Sequence, residues 1–101
     1  MKINCIVPLS LSDQTIKDIL CEAPIGYWGK FTNARRNVVE LNDPDPGQPK
    51  RLRVHLPKGF RLMAKDPKQC SRLQNFASEN WDGEDEDVLL QFATLGKIVY
   101  G

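Results

Sequence analysis

The sequence is poor in the residues that most often carry chemistry. It has a single histidine, His55, and only three cysteines, Cys5, Cys21 and Cys70. One histidine excludes a metal site built on two histidines and any His–His catalytic pair. The cysteines are odd in number and far apart, with no CxxC motif, so a disulfide scaffold is not expected. Zinc ligands usually come in close pairs because a tight turn positions two at once, and here every candidate stands alone. All three cysteines fall on faces that read as apolar, which makes them small core residues of a cytosolic protein. No apolar run approaches the roughly 18 residues that span a bilayer, so no membrane association is expected. The first residues carry one lysine and a short apolar stretch that ends at Pro8 with no small-residue cleavage site, and so do not read as a secretory signal.

The nucleophile and phosphate motifs GxSxG, Walker A and GxGxxG are also missing. The acidic tract at residues 82–87 lacks the alternating order and terminal glutamate of a calcium loop. Nothing in the sequence places His55 beside a cysteine nucleophile, so no enzymatic activity, cofactor or metal is expected.

What remains is a single domain over residues 1–101. The chain is 41% hydrophobic and 27% charged, as suits a globular fold. Residues 2–9 alternate Ile3, Cys5 and Val7 and read as a strand. Residues 12–23 read as a helix: Ser12 suits the N-cap, and Ile16, Ile19, Leu20 and Ala23 share one face until Pro24 stops it. The loop IGYWGK at residues 25–30 follows, with Tyr27 and Trp28 either covering the core or forming a stacking platform. Residues 37–41, 51–56 and 60–64 read as an antiparallel meander joined by Pro/Gly-rich turns. Asp66-Pro67 opens a second helix, with Cys70, Leu73 and Ala77 as its apolar stripe and an end near Asn80. The acids at 82–87 favour the positive end of a third helix over about residues 84–95, which should be the most buried, with Gly96 as its cap. KIVYG then reads as a last strand. The sum is an α+β domain with an antiparallel or mixed sheet of four or five short strands and about three helices.

The net charge of +1 hides a segregation along the chain: residues 1–29 carry −1, residues 30–72 carry +7 and residues 73–101 carry −5. Arg51, Arg53 and Arg61 should project from one sheet face, with Arg35 and Arg36 nearby in sequence. They form either a solvated face or a site for a nucleotide, a nucleic acid or an acidic protein patch. Asp87 and Gln91 lie four apart on one helix face. Gln91, in an otherwise apolar helix, needs a partner. The expectation is either a tie to the backbone of the Tyr27–Trp28 loop or a ligand pocket of Tyr27, Trp28, Asp87 and Gln91, with a ring stacked on Trp28.

Residues 19–28 (ILCEAPIGYW) and 87–101 (DVLLQFATLGKIVYG) resemble short proteins of tailed bacteriophages and prophages that have no assigned activity. The resemblance rests on Gly26, Tyr27, Trp28, Asp87, Gln91, Gly96, Tyr100 and Gly101. It departs at Ala23-Pro24, where a glycine-rich turn is usual, and it leaves out the basic middle. It implies a phage origin and a role in the cytoplasm of the bacterial host. By analogy with small accessory phage proteins, the expected function is a non-enzymatic inhibitor that binds a host defence protein, in the manner of an anti-CRISPR. The alternatives are a sponge for a signalling nucleotide and a nucleic-acid-binding accessory protein. An exposed sheet edge or a face of the first helix leaves room for a homodimer.

Overall fold

The computed structural model describes residues 11–101. The strand expected over residues 2–9, and Cys5 with it, lies outside them. Four α-helices and a three-stranded antiparallel sheet make up the described part of an α+β fold.

Helix α1 spans Asp13–Glu22. The Ser12 side chain accepts a hydrogen bond from the Thr15 amide at 3.1 Å, which satisfies one of the free donors of the first turn. Ile19 is fully buried, and Leu20 and Ala23 pack beside it against the core. Pro24 forces the preceding Ala23 out of the helical region, and the helix stops there.

The sheet runs β1 (Gly29–Phe31), β2 (Val38–Leu41) and β3 (Arg51–Arg53) in that order. Phe31, Val39 and Leu52 align across it on the core face. Lys30, Glu40 and Arg51 align on the outer face. The meander exists, shifted towards the N-terminus. Its first strand is Gly29–Phe31, which starts inside the loop expected over residues 25–30. Its expected last strand, at 60–64, is helical.

That segment is α2, Leu56–Ala64. Leu56, Phe60, Met63 and Ala64 follow helical spacing, and Pro57, useless in a strand ladder, fits a helix's first turn. Glycine at 59 lets α2 lie close on the last helix: a Cβ there would stand 3.0 Å from the backbone nitrogen of Ala93. Asp66 caps a 3-10 turn, Pro67–Gln69, which leads into α3, Cys70–Ala77. Leu73 and Phe76 are its buried residues, and Ala77 is exposed.

Helix α4, Gly83–Thr94, is the centre of the core. Leu89 and Leu90 are fully buried, as are Trp28, Val39, Met63 and Phe76 around them. Its acidic start is a reciprocal cap. Asp82 accepts from the Asp85 amide at 2.9 Å, and Asp85 accepts from the Asp82 amide at 3.1 Å. Gly96 follows in the left-handed region at φ 81°, as a helix-ending glycine should. The expected closing strand does not form. Residues 97–101 join no sheet, and their backbone is held by a side chain instead.

Candidate functional site

That side chain is Gln91, 1% exposed on α4. Its Oε1 accepts from the amides of Val99 at 2.8 Å and Tyr100 at 2.9 Å. Its Nε2 donates to the Tyr100 carbonyl at 2.9 Å and to Asp87 Oδ1 at 3.2 Å. All four hydrogen-bonding positions of the amide are filled. The glutamine thus does for the tail what a neighbouring strand would have done.

Asp87, one turn earlier on α4, gathers the loop before β1. Its Oδ1 also accepts from Trp28 Nε1 at 2.7 Å, and its Oδ2 accepts from the Tyr27 hydroxyl. Burial, the hydrogen bond to Asp87 and that carboxylate's charge push the Tyr27 hydroxyl up to about 12. The Trp28 ring lies under Tyr100, centroids 5.5 Å apart and planes 9° off parallel.

Tyr27, Trp28, Asp87 and Gln91 therefore do meet. The expected stacking pocket does not follow, because Tyr100 covers the Trp28 face and the tail occupies the Gln91 amide. The tie runs to the tail backbone rather than to that of the Tyr27–Trp28 loop. What the hub supports is a surface. Tyr27 is 56% exposed, and Ile98 and Val99 are each 44% exposed; they are the exposed large hydrophobic residues among those described. Tyr27 and Ile98 share a shallow groove of about 520 Å³ with Asp87, Val88 and Tyr100.

The groove is also lined by Arg72 and Glu84. Arg72 donates to Glu84 Oε1 and to the buried Asp85 Oδ1, each at 2.9 Å. Partial burial works against its charge, yet these two carboxylates hold the guanidinium above its ordinary pKa. The basic count of the sequence included Arg72 but gave no sign that its charge is committed internally.

The other arginines sit on separate elements. Arg51 and Arg53 share the outer face of β3, while Arg61 projects from α2 and so belongs to no sheet face. On the outer face Glu40 answers Lys50 at 3.2 Å and Lys30 at 4.0 Å. The Lys50 contact, opposed by some burial and aided by the charges of Lys30, Lys50 and Arg51, lowers the Glu40 pKa. Arg35 and Arg36 belong to the β1–β2 connection, where Arg36 stacks on Phe31 at 5.1 Å.

The cysteine readings change as well. Cys21 is exposed and free, and Cys70 is disulfide-bonded, so neither is a plain core thiol. His55 is exposed, and no group of three or more His, Cys, Asp or Glu side chains among the described residues could hold a metal ion. No helix among the described residues is long and apolar enough to cross a membrane.

No protein-family model, curated protein or solved structure matches the chain.

Proposed function

We propose that this chain is a non-catalytic, phage-encoded binding protein that inhibits a host defence factor, and that it binds through the surface formed by Tyr27, Ile98 and Val99. The observation that carries the reading is the state of the polar hub. Gln91 spends its whole bonding capacity on the tail, and Asp87 accepts from Tyr27, Trp28 and Gln91. A rigid support under exposed aromatic and aliphatic side chains suits a protein interface, where such anchors supply most of the affinity. The phage origin and the anti-defence role rest on the resemblance of the two chain ends.

The test is plating efficiency of a targeted phage on a host with an active CRISPR nuclease. The expected result is restored plating when the wild-type chain is expressed. Ile98→Asp should lose that protection while keeping a wild-type melting curve. Equal protection by both chains would refute the assigned surface, and no protection against the nuclease by the wild type would refute the anti-CRISPR reading.

A further inference from the structure

A second surface, remote in sequence from the tail, has different chemistry. A groove of about 460 Å³ lies between α1 and the β1–β2 connection, lined by Lys17, Leu20, Cys21, Ala34, Arg35 and Arg36. Three of its six residues are cations, and none is a carboxylate. The side chains of Lys17 and Arg35 have no ion-pair or hydrogen-bond partner among the described residues. Arg36 stacks on Phe31 and makes one long hydrogen bond, 3.4 Å to the Leu20 carbonyl, which leaves its other N–H donors available.

The connection that carries the two arginines is stiffly built. Asn33 Oδ1 accepts from the Asn37 amide at 3.2 Å, and the Asn33 carbonyl accepts from the Arg36 amide at 3.1 Å. Arg36 itself sits in the left-handed region at φ 54°, where glycine or asparagine is the easy choice. A strained arginine at such a place is a motive for asking what its head group does. Its guanidinium covers a carbonyl of the last turn of α1, whose partial negative charge would otherwise repel an anion.

We propose that this groove is a binding site for a small phosphate-bearing anion, with Lys17, Arg35 and Arg36 as its ligands. Guanidinium groups take phosphate oxygens in pairs, and a lysine adds a mobile point charge. Leu20 and Ala34 give the groove an apolar wall that an organic group on the phosphate can rest against. The site stands independently of the partner-binding surface.

The experiment is a titration of the full chain with inorganic pyrophosphate and, separately, with ATP, followed by backbone amide NMR. Shifts should concentrate at Lys17, Leu20, Cys21 and Ala34 to Arg36 for both probes. Equal affinity would place recognition in the phosphates alone, and tighter ATP would add the apolar wall. The double variant Lys17→Ala, Arg35→Ala should weaken binding about tenfold or more, while Arg51→Ala, Arg53→Ala leaves it unchanged. Cys21 gives a second reading. It should react faster with the dianionic dithiobis-nitrobenzoate than with neutral dithiodipyridine, after subtraction of the Cys21→Ser background, and pyrophosphate should slow the dianionic reagent. The proposal falls if neither probe moves these resonances at about millimolar concentration. It also falls if the double variant binds as the wild type does, or if single-stranded DNA binds tighter than pyrophosphate with a steep salt dependence.

Discussion

Replacing Gln91 by leucine should release the C-terminal tail while leaving the rest of the fold standing. Three of the four Gln91 bonds go to the backbone of Val99 and Tyr100. At about 1 kcal/mol net for each, their loss is worth about 3 kcal/mol. Loss of the Trp28–Tyr100 stack on release adds about 1 kcal/mol. Leucine recovers about 1 kcal/mol or more, because the position is 1% exposed and an apolar side chain there is removed from water. The balance is about 3 kcal/mol, carried by the tail. Amide exchange at Val99 and Tyr100 should therefore speed up about a hundredfold, while the α4 amides keep most of their protection. Trp28 fluorescence should change in parallel as Tyr100 leaves its face. Gln91→Glu is the informative companion. It keeps an acceptor for the two amides but puts a second carboxylate beside Asp87, so the tail should loosen at neutral pH and recover on acidification. Unchanged exchange at Val99 and Tyr100 in the leucine variant would refute the argument that this one side chain stands in for a strand.

Three further outcomes follow from the geometry. Glu86 is buried and receives one bond, from Trp81 Nε1 at 3.2 Å; burial, against that bond and with the charges of Glu22, Asp82 and Asp85, raises its pKa. A raised carboxylate pKa means that its contribution to stability is full below the ordinary value of 4.5 and is lost as pH rises through the folded value. Glu86→Gln should accordingly raise the melting temperature at pH 7 and have little effect near pH 4; an equal gain at both would contradict this. Gly59→Val should cost about 2 kcal/mol in urea unfolding, because the new side chain meets the α4 backbone at Ala93 and the helix-propensity gain over glycine is smaller. An absorbance titration of wild type minus Tyr27→Phe should place the Tyr27 ionisation near 12, and a midpoint at the ordinary value of 10.0 would show that its bond to Asp87 is not formed in solution.

Helix caps were the most legible part of the sequence. Ser12 before α1, Asp66 before the turn into α3, the acids opening α4 and Gly96 after it all act locally, and local chemistry survives into the fold. The errors came where a partner decides the outcome. GFRLMA has enough apolar residues for either a strand or a helix, and Pro57 together with the close approach of Gly59 to Ala93 settled it as α2. KIVYG joins no sheet, and its backbone is held by an amide side chain eight or nine residues back. No periodicity announces such a pairing. The Asp87–Gln91 spacing pointed to two side chains that do bond to each other, and the need of a buried glutamine for partners pointed to a tie. The sequence could not tell that Tyr100 would close over Trp28. The basic run misled through distance: residues 51, 53 and 61 are close in sequence but lie on a strand and a helix.

On the function proposed above, the hub of Asp87 and Gln91 is a support, and the surface of Tyr27, Ile98 and Val99 does the binding. Affinity capture of tagged chain from host lysate, with native mass spectrometry of the eluate, tests this most directly when three chains are run in parallel. The wild type and the Arg51→Glu, Arg53→Glu variant should each retain the same host defence protein in stoichiometric amount, and Ile98→Asp should lose it. Retention by Ile98→Asp, or loss through the β3 arginines, would contradict the claim and move the interface to the basic face of the sheet.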